Sequence, residues 1–164
     1  MVRRLALLTS LLTGLTVSAA AAQAPAAQTP AAAPAAPAAP LPTVCGPNVT
    51  EFKNVAKDSR CFEMRTYTVQ PGGQGSLELL HKRFREETDK YFKKHGMTAI
   101  AYWQPLNKPE TIIYILAYKD MAARNAAWAA FNADPGWLKA RADMMVTIKA
   151  ESVFMSATDY SPMK

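Results

Sequence analysis

A run of strand-forming residues that ends in a glycine-rich turn constrains this chain most. Successive side chains of a strand point to opposite faces, so residues Phe62 to Val69 divide into two sets. A proline and three glycines follow and end the strand, because proline lacks a ladder donor and glycine adopts turn angles that other residues avoid. The mostly apolar set is Phe62, Met64, Thr66 and Thr68, and the charged and aromatic set is Glu63, Arg65, Tyr67 and Val69.

The residues after this turn predict one long helix and then a hairpin. Ser76 to His95 places apolar residues on one side, with Ser76 suited to the N-cap and Gly96 to a left-handed C-cap. Met97–Pro105 and Thr111–Tyr118 are rich in β-formers and are separated by turn-forming residues. The second run is almost continuously apolar, which is typical of a strand inside a sheet.

The rest of the chain completes a β-α-β-β-α-β order. Asp120 is placed to cap a helix over Met121–Asn132, and Pro135 to begin a shorter helix that ends near Met144. Val146 to Asp159 predicts the last strand. This order is typical of a ferredoxin-like α+β domain with helices on one sheet face. The other face then needs a cover, and we expect a second copy of the chain to supply it in a homodimer.

The first 42 residues predict export rather than folded structure. Arg3 and Arg4, the apolar run Leu5–Val17 and a small-residue zone predict a signal peptide over residues 1–22. Residues 23–42 are an Ala/Pro-rich linker, and residues 43–60 form an N-terminal extension before a domain over 61–162. We therefore expect a periplasmic or secreted bacterial protein with no stable membrane span after signal cleavage.

Cys45 and Cys61 are the only two cysteines in the sequence. In an exported chain two cysteines predict a disulfide, and closing a loop of about 15 residues contributes about 3 kcal/mol in the chain-entropy model. The alternative is a buried free Cys61 beside an unpaired Cys45.

The net charge of +6 is mild, and basic residues do not alternate with aromatics, so we expect no nucleic-acid partner.

The opening motif resembles a known family. Glu63-Met64-Arg65-Thr66-Tyr67 with Pro71-Gly72 is similar to the start of the NIPSNAP family, and the likeness continues through His95-Gly96 and Asp134-Pro135 to Trp137. The resemblance implies a dimeric α+β barrel, a fold shared with antibiotic-biosynthesis monooxygenases and several haem-binding enzymes. It implies no agreed chemistry, so the catalytic residues stay unassigned.

Six residues are candidates for binding a small molecule. Glu63, Arg65 and Tyr67 share one strand face, where a carboxylate, a guanidinium and a phenol can converge on a polar ligand; the alternative is a structural ion pair with a hydrogen-bonded phenol. His81 borders the apolar helix face and reaches toward the sheet, or is an ordinary boundary histidine. Tyr102 and Trp103 complete the set, although aromatics at such spacings more commonly belong to a core.

Other site chemistries have weak support in the sequence. His95 lies in the last helical turn, where it suits a capping role. The glycines after the first strand lack the lysine of a P-loop, and two histidines with no cysteine-histidine spacing are a poor basis for a metal site. We therefore expect no metal and no cofactor.

The function we expect is small-molecule binding between sheet and helices. The alternatives are a noncatalytic dimeric interaction module and a cofactor-independent monooxygenase-like enzyme.

Overall fold

The structure, a computed structural model, describes residues 44–164. The predicted signal peptide and Ala/Pro-rich linker lie outside the described residues. The elements in chain order are β1 (Cys61–Val69), α1 (Leu77–Arg83), a π-helical turn (Phe84–Thr88), α2 (Asp89–Lys94), β2 (Thr98–Trp103), β3 (Thr111–Tyr118), α3 (Met121–Ala133), α4 (Pro135–Asp143) and β4 (Ile148–Ser156).

Four antiparallel strands form one sheet in the order β2-β3-β1-β4. The two middle strands are β3 and β1, so the prediction that β3 lies inside the sheet is confirmed. The register places Arg65 of β1 between Tyr114 of β3 and Ser152 of β4. The ferredoxin-like βαββαβ fold predicted from the element order is confirmed.

The predicted helix starts are also confirmed. The Ser76 side chain accepts a hydrogen bond from the Leu79 amide at 3.2 Å, and Asp120 accepts one from the Ala123 amide at 2.8 Å. These caps satisfy amides that have no partner within the helix. Gly75, with φ of +79°, lies so close to the Met145 backbone oxygen that a Cβ there would collide with it.

Two element predictions need correction. The first helix is not α-helical throughout, because the π-helical turn interrupts it between Arg83 and Asp89. The hydroxyl of Thr88 donates to the Arg83 carbonyl at 3.2 Å, five residues earlier, which suits the wider turn. The last strand is shorter at both ends than the predicted Val146–Asp159.

The core lies between the inner face of the sheet and the helices. Tyr114 and Leu116 of β3 pack there with Leu80, Phe92 and Met97, all nearly inaccessible to solvent. The charged and aromatic face of β1 is the one that points into this core. The opposite, outer face of the sheet leaves large apolar side chains in solvent: Val153 is 51% and Trp103 48% exposed.

The segment before β1 is attached to the domain at two places. Cys45 and Cys61 form a disulfide, so the predicted pairing is present in the structure. Val55 makes an antiparallel bridge with Thr158 beyond the end of β4. In residues 44–164, no helix is both long enough and apolar enough to cross a membrane.

Candidate functional site

A buried carboxylate, that of Glu63, is the centre of the polar network inside the domain. Its side chain is fully buried on the inner face of β1. Arg124 of α3 donates from Nη2 to Oε1 at 2.8 Å and from Nε to Oε2 at 3.0 Å. Arg65 donates from Nη1 to Oε1 at 2.7 Å. One carboxylate is therefore shared by two guanidinium groups, one of which binds it through both oxygens.

Three further donors complete the environment of Glu63. Tyr118 and the indole N–H of Trp128 each donate to Oε2 at 3.1 Å, and the Ser152 hydroxyl donates to Oε1 at 3.0 Å. Each carboxylate oxygen then accepts three hydrogen bonds. No acceptor position is left for a ligand, so Glu63 holds the network together and does not contact a bound molecule.

Arg65 uses all three of its nitrogens in the same network. Its Nε donates to the Tyr114 hydroxyl at 3.0 Å, and its Nη2 to the Tyr67 hydroxyl at 3.3 Å. The guanidinium carbon lies 4.5 Å from the centre of the Trp128 ring, within the range of a cation–π contact. The ion pair considered for Glu63 and Arg65 on sequence grounds is present, and every nitrogen of Arg65 has a partner.

The network keeps its members in fixed charge states near neutral pH. Burial by itself would raise the pKa of Glu63, but hydrogen bonds from Arg124 and the charges of Arg65 and Arg124 lower that pKa to about 2. Burial raises the pKa of Tyr118, and the neighbouring carboxylate raises it further. Glu63 is therefore ionised and Tyr118 neutral under physiological conditions.

A cavity of about 390 Å³ lies beside this network, between the sheet and the helices. We call it the arginine cavity, because Arg65, Arg83, Arg124 and Arg141 all line it. Among the described residues, those lining it include no aspartate or glutamate. Six aromatic side chains form most of the remaining walls: Tyr67, Phe84, Phe92, Trp128, Phe131 and Trp137.

Arg83 differs from Arg65 because it has almost no partners. The residue is only 4% exposed, and its Nη1 donates to the Met144 carbonyl at 3.1 Å. Its Nε is the one buried side-chain nitrogen or oxygen in residues 44–164 without a hydrogen-bond partner. Burial lowers the pKa of Arg83, and the nearby charge of Arg141 contributes to that lowering.

The π-helical turn forms part of the wall of the arginine cavity. Phe84 and Thr88 within the turn line the cavity, as does Arg83 directly before it. A π-helical turn inserts one residue into the helix and so rotates the residues after it relative to those before it. The turn thus lets Phe92, after it, remain in the core together with Leu80, before it.

A second pocket, of about 400 Å³, lies on the other side of Phe84. We call it the aromatic pocket; it is lined by His81, Tyr102 and Trp103 together with Phe84 and Gln104. His81 Nε2 is 3.1 Å from Gln104 Oε1, and Tyr102 donates to Asp89 at 2.8 Å. Of the six candidate residues, Arg65 and Tyr67 line the arginine cavity and His81, Tyr102 and Trp103 line the aromatic pocket. Glu63 lines neither cavity and lies in the buried network beside the first.

His95 lies outside both cavities. It is the C-cap residue of α2, and its Nε2 is 2.7 Å from Asp134 Oδ2. Asp134 also pairs with Lys94 and caps the start of α4. Hydrogen bonds from Lys94 and His95 lower the pKa of Asp134 well below its usual range. In the described part of the chain, no group of three or more His, Cys, Asp or Glu is arranged to hold a metal ion.

Several site residues were not among the sequence candidates. Arg124 and Trp128 are one turn apart on α3. An arginine and a tryptophan on the apolar side of an alanine-rich helix indicate, from sequence alone, that these two side chains serve a site inside the domain. Arg83 and Arg141 gave no such signal, because both lie in surroundings rich in charged residues.

The fold and these cavities define a ferredoxin-like α+β domain that encloses an arginine-lined cavity between sheet and helices. The NIPSNAP family model matches residues 62–162, which is more than half of the chain. The chain therefore belongs to the NIPSNAP family, and the resemblance found in the sequence is confirmed.

Solved structures of NIPSNAP proteins share this fold. A NIPSNAP family protein of unknown function from Agrobacterium tumefaciens is 23% identical, with a TM-score of 0.60 over 68% of this chain and 99% of that one. Another from the same species is 20% identical, with a TM-score of 0.57 over 64% and 99%. An uncharacterized NIPSNAP domain protein from Burkholderia xenovorans is 23% identical, with a TM-score of 0.54 over 62% and 98%. The sequence has no significant match among curated proteins.

Proposed function

We propose that this NIPSNAP domain binds a small, anionic, partly aromatic or apolar molecule in the arginine cavity. The observation that carries the proposal is the charge of the cavity: four arginines line it, and within residues 44–164 the only carboxylate that pairs with any of them is Glu63. Buried cations are costly unless they are paired. An anionic ligand supplies the missing charge.

The size and walls of the cavity support the same ligand class. A volume of about 390 Å³ is within the range of small-molecule sites, which are commonly apolar with a few placed polar groups. Phe84, Phe131 and Trp137 offer faces on which an aromatic or aliphatic body can pack. Asn132 adds an uncharged polar side chain to the lining.

We also propose that the protein acts outside the cytoplasm as a homodimer. The Cys45–Cys61 disulfide supports an oxidising compartment, and the leader-like residues 1–22 support export. The apolar outer face of the sheet, with Val153 and Trp103 about half exposed, supports a second copy as its cover.

Calorimetry with a pair of matched ligands tests the proposal. We expect wild-type protein to bind 1-naphthoate and to bind the neutral 1-naphthamide at least tenfold more weakly, because the two share an aromatic body and differ in charge. Absence of heat for both ligands at millimolar concentration would refute small-molecule binding of this class and favour the noncatalytic interaction module.

Haem is tested separately by absorption spectroscopy, where we expect no bound-haem band.

A further inference from the structure

Two of the four arginines that line the arginine cavity have no acidic partner. Arg65 and Arg124 both pair with Glu63. Arg83 and Arg141 form no ion pair with any acidic residue in residues 44–164, although both line the same cavity. The unpaired positive charge of the cavity therefore belongs to Arg83 and Arg141.

Arg83 also keeps a donor free where water is largely excluded. Its Nε has no partner among the described residues, and only 4% of the residue is exposed. An unmade hydrogen bond at a buried donor is costly, so this N–H calls for an acceptor that the described residues do not supply. The guanidinium carbon lies 5.8 Å from the Trp137 ring centre, within the range of a cation–π contact.

Arg141 is the exposed member of this pair. It lies on α4, one helical turn after Trp137, and it is exposed while still lining the cavity. One guanidinium of the pair is thus buried and the other is accessible to solvent. Two arginines in such positions can bind the oxygens of one carboxylate or phosphate from two directions.

We infer that Arg83 and Arg141 form the anion-binding subsite of the arginine cavity, and that they bind the carboxylate or phosphate group of an aromatic or apolar ligand. This inference rests on the proposed function. It reassigns the role first expected for Arg65, since all nitrogens of Arg65 are already hydrogen-bonded within the Glu63 network. Arg65 then positions the cavity wall, and Glu63 holds Arg65 and Arg124 in place.

The two unpaired arginines are tested with three ligands that share one aromatic body. Binding of 1-naphthoate, 1-naphthyl phosphate and neutral 1-naphthamide is measured by calorimetry on full-length mature protein. The variants are Arg83→Gln and Arg141→Gln. The control is Lys139→Gln, which removes the same charge from the exposed side of α4 without touching the cavity lining.

We expect each arginine variant to weaken binding of the anionic ligands by about tenfold or more and to leave 1-naphthamide binding within about twofold. Lys139→Gln should leave all three affinities within about twofold. The ratio of the naphthoate and naphthyl phosphate affinities in wild-type protein then identifies the preferred anion. Because Arg141 is exposed, Arg141→Gln keeps the test valid if Arg83→Gln folds poorly.

Two results would overturn the inference in distinguishable ways. If wild-type protein prefers the anions and both arginine variants keep that preference, the anion binds elsewhere and small-molecule binding stands. If wild-type protein binds none of the three ligands, or binds the amide as tightly as the acids, the proposed anionic ligand class fails together with the subsite.

Discussion

Replacing Glu63 by glutamine should destabilise the domain strongly at neutral pH. The substitution keeps the size of the side chain but removes the one negative charge that Arg65 and Arg124 share. The glutamine also places an NH₂ group, which is a donor, opposite the N–H donors of the guanidinium groups. Breaking a buried ion pair by removing one partner typically costs about 3–5 kcal/mol, because a buried charge is left unpaired.

The pKa of Glu63 gives an independent magnitude. A carboxylate with an ordinary pKa of 4.5 in the unfolded chain and about 2 in the folded protein contributes stability of about 3 kcal/mol at pH 7. Since the folded pKa is the lower one, that stability is complete above pH 4.5 and is lost as the pH falls toward 2. By pH 3 the contribution should be down to about 1 kcal/mol.

The assay is urea unfolding of wild type and Glu63→Gln at pH 7, 5 and 3, at one fixed protein concentration. We expect a difference in unfolding free energy of about 3 kcal/mol at pH 7 and 5 that shrinks at pH 3. Glu110→Gln is the matched control, because Glu110 is an exposed carboxylate in the turn before β3 and forms no ion pair in residues 44–164. It should change stability by less than about 0.5 kcal/mol. Equal stability of Glu63→Gln and wild type, or a difference that does not change with pH, would refute the reasoning.

Four further predictions follow from other parts of the molecule. Arg83→Met should leave the melting temperature unchanged or higher, since it removes an unpaired buried charge; a loss above about 2 kcal/mol would contradict this. Reducing the Cys45–Cys61 disulfide should cost about 3 kcal/mol, and free thiols in the exported protein would exclude it. Val153→Lys should convert a dimer into a monomer in sedimentation, and a monomeric wild type at micromolar concentration would refute the dimer. Deleting residues 23–42 should leave the melting temperature within about 2 °C, because an Ala/Pro-rich linker adds no core.

Much of the fold could be predicted because its signals are local. Ser76 and Asp120 are capping residues beside periodic apolar runs, and both cap helices in the structure. The alternation along β1 placed Glu63, Arg65 and Tyr67 on one face, and they do share the inner face. A charged set of this kind is normally assigned to solvent, so the alternation alone does not predict that this face points into the domain.

The rest of the site depends on contacts that no local pattern contains. Arg124 and Trp128 reach Glu63 from α3, far along the chain. Arg83 is the last residue of regular α1, three residues after buried Leu80, yet a lone arginine among charged neighbours is assigned to the solvated side of the helix. The π-helical turn that follows Arg83 shifts the helical phase of the later residues by one residue and leaves no clear mark in composition.

The same limit explains the division of the six candidate residues. On sequence grounds His81, Tyr102 and Trp103 are candidates for the same ligand as the β1 residues, but they line the aromatic pocket and not the arginine cavity. Phe84 lies between the two sets, in edge-on contact with Tyr67 on one side and Tyr102 on the other. A single large side chain in the core thus separates two cavities, and sequence spacing does not reveal such a wall.

A crystal structure of the wild-type protein grown with saturating 1-naphthoate tests the central claim most directly. We predict the naphthyl ring against the aromatic walls of the arginine cavity, with its carboxylate about 3 Å from Arg83 Nε and within hydrogen-bond reach of Arg141. A carboxylate bound instead by Arg65 after disruption of the Glu63 network, or a ligand bound only outside this cavity, would contradict the account.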